Sequence, residues 1–501
     1  MADRQFATDN GAGKGLALPG LLIGLLTGFA AYSIIEYWID GRDDNPLALA
    51  VLFFITTLSA AYLLLAERGA LMKAGLGALV IAAILFGPDY YLFDKVNAEE
   101  ADLTPFPVIF WMFTRGLAAY LLVTLFKAAQ ESGFPPAYGP VFFHGITMPL
   151  IAGGAKLFAG LALTLLFAWA RLLKELDVNF FNDLFQESWF IWPFLGAIGG
   201  LSIAMMRGQQ AILGALRFVL LLLARILMII TAVFTVTLLI VFATKGVGIV
   251  FDRPYPSAWM MSLALLGMLI FNGVYQNGEG PPPPLWLRLP TLITLIGFPV
   301  YAGLAFYAFY LRIDAYGLTP TRIAGIAVNG LVALYSIVCI AGLLTEANWR
   351  GRRWMPLVGP LNTLMATLWV AVIVALATPL LNPWAMSARS QYSLLANGRI
   401  AAADFDFGYL HFSLGIEGDK ALDRLLALDN HPEAAAIRDG VANARAASSY
   451  WLYKHPEYAR DEDSESELPA PEVLPLNPAG ADTGPDDPDA QTSEGNEGEE
   501  S

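Results

Sequence analysis

The stretch GALRFVLLLLARILMIITAVFTVTLLIVFA, residues 214–243, decides the fold class of this chain. It is almost entirely apolar, and it is longer than the roughly 20 residues that a helix needs to cross a hydrocarbon core of about 30 Å. Similar runs recur on both sides of it. Because they are continuously apolar rather than alternating, they favour spanning helices over barrel strands. The sequence therefore predicts an all-α, polytopic transmembrane helix bundle.

We predict about 11 spanning helices, each of the length that a bilayer requires. Their approximate ranges are 16–38, 46–66, 70–92, 105–127, 147–171, 188–206, 214–243, 257–276, 287–311, 320–344 and 357–381. The predicted organisation is an N-terminal polar tail (1–15), a transmembrane helical domain (16–381), a small soluble helical domain (382–460) and an acidic tail (461–501). In the soluble domain, Pro383 suits the first position of a helix and Gly398 suits its end.

Composition agrees with a membrane protein, since 56% of the residues are hydrophobic and only 15% are charged. The formal net charge of −14 comes from the tail, because residues 461–501 hold 14 acidic residues and no Lys or Arg. A segment dominated by Pro, Glu, Asp, Ser and Gly cannot bury enough apolar surface to fold, so we predict that the tail is disordered.

The sequence gives no sign of a cofactor or a metal. Its one cysteine, Cys339, lies in an apolar run and predicts a helix-packing thiol. No HExxH or CxxC spacing accompanies the four histidines, so we expect no cofactor and no metal site. Nucleic-acid binding is disfavoured because no basic patch with interleaved aromatic residues occurs.

The segment RIDAYGLTPTR, residues 312–322, predicts a tight hairpin between two spanning helices. Gly317 suits a left-handed helix end, and Thr319 and Pro320 suit the start of the next helix. Arg312, Asp314 and Arg322 then meet at one interface. A carboxylate between two guanidinium groups predicts either a fixed charge network or an anion site.

This segment carries a resemblance to a known family. Together with LNPWAMSARSQYSLLANGRI, FDFGYLHFSLG and ALDRLLAL further on, it resembles the bacterial membrane family called domain of unknown function 4153, over most of residues 150–430. The resemblance implies a bacterial multi-pass membrane protein, and it implies no activity. We expect its location to be the cytoplasmic (inner) membrane. Tyr316, Gly317, Leu318, Thr319 and Arg322 carry over only as signature positions.

Orientation follows from the basic residues near the spans, which are modestly more frequent on the side of the N-terminus. The N-terminus is therefore predicted to be cytoplasmic. An odd number of spans then places everything after Leu381 outside the cytoplasm.

Three basic residues fall within predicted spans, where each costs about 2.5–3.5 kcal/mol on insertion scales. For Arg115 and Lys156 the favoured interpretation is that the side chain reaches to the membrane surface. Arg225 lies deeper, and two interpretations stay open for it. If the helix begins near Phe218, the side chain reaches to the membrane surface; otherwise it faces a polar interior, which is the hypothesis that we state. No acidic residue is expected well inside a span, which argues against proton coupling.

Two classes of function remain open on the sequence alone. The favoured class is non-enzymatic, either a transport component or a membrane-embedded sensor whose soluble domain binds a ligand. Its expected partners are the lipid bilayer and a membrane or envelope protein. The alternative is an enzyme that transfers a lipid-linked group at the outer face, with Glu36, Asp43 or Asp44 as base or metal ligand.

Overall fold

Every regular element in the described part of the chain is a helix or a helical turn. The computed structural model describes residues 15–39, 45–67, 69–97, 106–280, 282–348 and 354–456. The helices are α1 (Ala17–Ile34), α2 (Pro46–Leu65), α3 (Leu71–Asn97), α4 (Phe106–Ser132), α5 (Tyr138–Lys174), α6 (Phe180–Leu184), α7 (Ser188–Gly208), α8 (Gln210–Lys245), α9 (Pro256–Tyr275), α10 (Leu285–Tyr316), α11 (Pro320–Asn348), α12 (Val358–Leu376), α13 (Pro383–Ala396), α14 (Leu414–Leu426), α15 (Ala434–Ala446) and α16 (Tyr450–Lys454). Short π or 3₁₀ turns lie at Ile35–Ile39, Val247–Val250, Ala402–Asp404 and Tyr409–Ser413. The all-α prediction is confirmed, and the predicted acidic tail lies outside the described residues.

Within the described ranges, 11 helices are long and apolar enough to cross a membrane, namely α1 to α12 without the short α6. This confirms the predicted number of spans. The ends agree within a few residues except at α5, which begins at Tyr138 instead of near residue 147. His144 and Pro149 lower the apolar character of its first turns, although the backbone there is already helical.

A proline inside α5 is compensated by a neighbouring helix. Pro149 has no N–H, so the carbonyl of Gly145 four residues earlier loses its usual donor. The hydroxyl of Tyr120 on α4 donates to that carbonyl at 2.7 Å. This side-chain bond explains how a spanning helix holds a proline without leaving a polar group unsatisfied in the bilayer.

Contacts along the chain divide it into two compact units. The first, which we call the membrane unit, takes in the described residues up to 310 and residues 321–382. The second, which we call the C-terminal unit, takes in residues 311–320 and the described residues from 383. The C-terminal unit thus includes the Gly317 turn.

In the membrane unit, α1 and α7 pack through glycines. Gly20, Gly24 and Gly28 recur every four residues on α1, and they lie against Gly196 and Gly200 of α7. A β-carbon on Gly20 would stand 2.7 Å from the carbonyl oxygen of Gly200, and one on Gly24 would overlap the carbonyl of Gly196. The GxxxG spacing of α7 therefore serves close helix packing, and its partner is the first span.

The C-terminal unit has an apolar core of its own. Helix α13 begins at Pro383 and ends before Gly398, whose φ is +64°, as predicted. Helices α14 and α15 follow it, and the buried leucines Leu395, Leu410 and Leu422 lie among these elements. Helix α16 is joined to the segment before the π turn Tyr409–Ser413 by Tyr450, whose hydroxyl donates to Asp406 Oδ2 at 2.7 Å.

Candidate functional site

The signature segment forms the predicted turn and is held by α13. Helix α10 ends at Tyr316, Gly317 has a φ of +73°, and α11 begins at Pro320. Ser387 Oγ donates to the carbonyl of Leu318 at 2.8 Å, and the Leu318 amide donates to Ser390 Oγ at 2.9 Å. Both the amide and the carbonyl of Leu318 are thus hydrogen-bonded to side chains of α13.

Gln391, also on α13, forms two further hydrogen bonds to the backbone of this turn. Its amide Nε2 donates to the carbonyls of Tyr316 and Leu318 at 3.0 and 3.2 Å. A β-carbon on Gly317 would lie 2.7 Å from the Leu394 side chain and 3.0 Å from Gln391 Nε2. Glycine is therefore required at this position both for its backbone conformation and for space.

Arg399 is a partner of Asp314 that the sequence interpretation did not predict. Arg399 Nη2 donates to Asp314 Oδ1 at 2.7 Å and to the Asp314 carbonyl at 3.0 Å, and both side chains are more than half exposed. Arg322 and Thr319 are buried, and Arg312 is half-buried. The predicted anion site at Arg312 and Arg322 stays a prediction.

Arg225 does not lie in the interior of the membrane unit. It is exposed on α8 beside the exposed Leu222, Leu223 and Ile226. The 36 residues of α8 are about 54 Å long, well beyond the hydrocarbon thickness of about 30 Å. The uncharged run 226–244 alone covers about 28 Å, so α8 can cross the core without placing Arg225 at its centre.

The membrane unit instead buries an ion pair that the sequence interpretation missed. Asp89 on α3 is fully buried, and it accepts from Arg115 of α4 with a distance of 2.8 Å from Nε to Oδ1 and 3.0 Å from Nη2 to Oδ2. Trp111 Nε1 donates to Asp89 Oδ1 at 3.0 Å. The sequence interpretation assigned Arg115 to the membrane surface and expected no acidic residue well inside a span, and it foresaw neither the burial of Asp89 nor its pairing with Arg115.

Arg115 also binds a third helix. Its Nη2 donates to Thr57 Oγ1 at 2.7 Å and to the Phe53 carbonyl at 3.2 Å, and its guanidinium lies 4.7 Å from the centre of the Phe53 ring. Thr57 is near the middle of α2, so the pair lies well within the length of that helix. Charged side chains within spanning helices are costly and usually functional, which makes this pair the candidate site.

A signal for this pair was present in the sequence. Asp89 lies eight residues before the last residue of α3, and Arg115 lies nine residues after the first residue of α4. Two consecutive spans run antiparallel, so residues equally far from their connection reach the same depth. Opposite charges at matched depths in neighbouring spans predict an ion pair.

Two further polar groupings in the membrane unit have structural explanations. Arg207 donates to the carbonyls of Leu63 and Ala66, and Lys127 lies 3.4 Å from the carbonyl of Leu65. Lys127 also pairs with Glu67. These carbonyls lie in the last turn of α2 and on the residue that follows it, where no amide of the helix can satisfy them, so the two cations serve as its C-terminal cap.

The second grouping is an uncharged network that joins four helices. Asn362 Nδ2 donates to Asn272 Oδ1 at 2.7 Å and to the Tyr138 hydroxyl at 3.0 Å. Asn272 Nδ2 donates to the hydroxyl of Tyr335 at 2.9 Å. Amide and phenol groups of this kind hold spanning helices together without a net charge.

Of the three acids that the sequence offers for an enzyme, the structure describes one. Glu36 is half-buried in the π turn at the end of α1, whereas Asp43 and Asp44 lie outside the described residues. Among the residues that the structure describes, no group of His, Cys, Asp and Glu side chains has the arrangement of a metal site.

Comparison with known proteins assigns a family. No curated protein and no solved structure matches the chain. The family model DUF4153, "Domain of unknown function (DUF4153)", matches residues 26–425. The match begins far before residue 150, where the resemblance of the signature segments began, and it includes Asp89 and Arg115. This match covers most of the sequence, so the chain belongs to the DUF4153 family of domains of unknown function.

Proposed function

We propose that this membrane protein is non-enzymatic and belongs to a transport system, with the Asp89–Arg115 pair as its functional centre. The observation that carries the proposal is the complete burial of Asp89 against Arg115 between three spanning helices. A hydrophobic pair of similar volume would hold helices together at least as well as a buried ion pair. The presence of this costly pair is therefore better explained by a task that uses charge.

The bonds that Arg115 makes to two other helices also suit a protein in which helices move against one another. Arg115 is shared between Asp89 on α3 and Thr57 on α2, so a change in either bond alters how α4 is tied to its neighbours. A transport protein needs links between helices that can form and break, because alternating access requires one group of helices to shift against another.

Reconstitution into liposomes tests this proposal. Purified protein is inserted into vesicles that contain a pH-sensitive dye, and gradients of Na⁺, chloride, acetate or phosphate are imposed. Internal pH and membrane current are both recorded. We expect at least one gradient to give a response above protein-free vesicles.

Matched variants assign that response to the pair. The response should be lost in Asp89→Asn and in Arg115→Gln, and it should persist in Asp94→Asn, which removes an exposed acid from the same helix. A response that survives in Asp89→Asn would remove the pair from the mechanism.

We also propose that the protein resides in a bacterial cytoplasmic membrane, with its N-terminus inside and its C-terminal unit outside. The support is the distribution of Lys and Arg and the odd number of candidate spans, 11, among the described residues. Alkaline phosphatase and a fluorescent protein, each fused after Arg460, test the orientation. Phosphatase activity without fluorescence supports it, and fluorescence without phosphatase activity contradicts it.

An external C-terminal unit would be available to a membrane or envelope protein partner, which is the proposed interaction beyond the bilayer itself. Crosslinking of the full-length protein in intact cells, followed by identification of the captured protein, tests this proposal. Capture that is lost when the unit is disrupted by Gly317→Leu would support a partner at this unit.

A further inference from the structure

The two charges of the buried pair are held unequally. Asp89 accepts hydrogen bonds from Arg115 and Trp111, both on α4. Arg115 has the bonds to Asp89 and, in addition, those to Thr57 and Phe53 on α2. If Asp89 gave up its bond, the guanidinium would still be held in place, facing the position that the carboxylate now fills.

Charge balance then restricts what can happen at the pair. Arginine stays protonated in proteins, so only Asp89 can change its charge. A proton on Asp89 leaves Arg115 as an uncompensated buried cation, which is strongly unfavourable. An anion that approaches Arg115 while Asp89 is ionised meets a second negative charge. The anion therefore offsets the unpaired positive charge that protonation of Asp89 would leave, and the proton removes the negative charge that would repel the anion. Such coupling between two binding events is reciprocal.

We infer that the Asp89–Arg115 pair is a joint binding site for one proton and one monoanion, in which the proton binds Asp89 and the anion takes its place on Arg115. This inference rests on the proposed function and gives its substrate class. The pair is neutral when both ligands are absent, and it is neutral again when both are bound. Coupled transport of the two would change internal pH without net charge movement.

The shape of the site indicates the class of anion. Arg115 presents Nε and Nη2 side by side to the two oxygens of Asp89, at 2.8 and 3.0 Å. This fork matches a carboxylate or a phosphate group, which also offer two oxygens to a guanidinium. A halide offers a single centre and is the natural comparison.

Other charged side chains lie on the elements packed against the pair, among those that the structure describes. The turn Ile35–Ile39 and α7, both packed against α2, carry the half-buried Glu36 and the capping Arg207. Helix α5, packed against α4, carries His144, Lys156, Arg171 and Lys174. α2 and α12 carry no Asp, Glu, Lys, Arg or His. Besides the pair, α3 has Lys73 and the exposed Asp94, and α4 has Lys127 and Glu131 near its other end, where they contact Glu67 and His144. The side chains of Lys95, Glu99, Glu100 and Asp102 lie outside the described residues.

Infrared difference spectroscopy of the reconstituted full-length protein tests this inference. The protein is perfused at a fixed, mildly acidic pH with bromide, and then with the same buffer containing phosphate, chloride or acetate. The acetate carries ¹³C in its carboxyl group, so that the carbonyl band of the added acid is shifted away from that of Asp89. We expect acetate or phosphate to induce the carbonyl band of a protonated carboxylic acid. The band should be absent in Asp89→Asn and in Arg115→Gln, and it should remain in Asp94→Asn.

Each result decides the inference. A band with acetate alone identifies a carboxylate site, and a band with phosphate alone identifies a phosphate site. A band that persists in Asp89→Asn or Arg115→Gln overturns it, as does the absence of a band with both oxyanions. If either charge variant does not fold, Trp111→Phe tests the same assignment. This variant removes a hydrogen bond to Asp89, so it should shift the carbonyl band. An unchanged band contradicts the assignment. Vesicle transport without any anion-induced band would leave the proposed function standing and refute the coupling.

Discussion

Gly24 of α1 and Gly196 of α7 lie so close that a β-carbon on either would overlap the backbone of the other helix. This contact fixes the first span against a helix more than 150 residues later in the sequence. Bilayer lipids are as apolar as leucine, so such close backbone packing is what holds the two helices together.

Substitution of a contact glycine of α7 should therefore destabilise the membrane unit. Gly200→Ala places a methyl group against the Gly20 carbonyl, and overpacking of this kind costs about 1–3 kcal/mol. Gly199→Ala is the matched control, because a β-carbon there has no neighbour within 4 Å. Thermal unfolding of the purified protein in detergent should separate the two variants, and equal stabilities would refute the packing explanation.

The buried pair should show strong energetic coupling. Arg115→Gln leaves the fully buried Asp89 without its counter-charge, for which we expect a loss of about 3–5 kcal/mol in the free energy of unfolding. Asp89→Asn with Arg115→Gln should restore part of that loss, since no charge remains. A double-mutant cycle in detergent measures the coupling, and additive single effects would contradict it.

Gly317 should tolerate alanine less well than Gly398. Both have positive φ values, +73° and +64°, so alanine is strained at each by roughly 1–2 kcal/mol. Only Gly317 also has the side chains of Leu394 and Gln391 in the way. We expect Gly317→Ala to lower the melting temperature of the C-terminal unit more than Gly398→Ala does. The reverse order would show that crowding is not the deciding factor.

The Tyr120 hydroxyl should contribute to stability because it replaces the amide donor that Pro149 lacks. Tyr120→Phe removes the donor to the Gly145 carbonyl and should cost about 1 kcal/mol of stability. In a Pro149→Ala background the new amide can donate to that carbonyl, so the same substitution should cost less. Unfolding of the four proteins of this cycle gives the answer, and an equal cost in both backgrounds would exclude the compensation.

Alkaline pH should weaken the C-terminal unit through Tyr450. Burial, followed by the Asp406 carboxylate, raises the pKa of Tyr450 above its usual value of about 10. The folded state thus favours the protonated phenol. Its contribution to stability is fully present below pH of about 10 and is lost as pH rises through the folded-state pKa.

Tyr450→Phe provides the control for that pH dependence. It removes the hydroxyl that donates to Asp406, so it should cost about 1 kcal/mol at neutral pH and flatten the decline above pH of about 10. Unfolding of the full-length protein at a series of pH values measures both effects. An identical decline in the two proteins would assign it to other groups.

The sequence predicted the positions of the spans well because the bilayer sets a simple requirement on length and polarity. Gly317 and Pro383 were likewise identified at helix ends, since backbone conformation is a local property. Asp89 was missed because its importance depends on Arg115 in the next span. Hydropathy alone treats a charge near the end of an apolar run as a surface residue.

The sequence by itself determined the all-α class, the 11 spans and the sites where helices begin and end, because each follows from a few consecutive residues. Only the tertiary structure decided which residues became partners, as for Gly24 with Gly196, Asp89 with Arg115 and Asp314 with Arg399. Apolar patterning places a helix in the membrane but gives it no preferred neighbour there. Helix pairing depends on close steric fit and on polar bonds between residues far apart in sequence, and both exist only once the helices are packed.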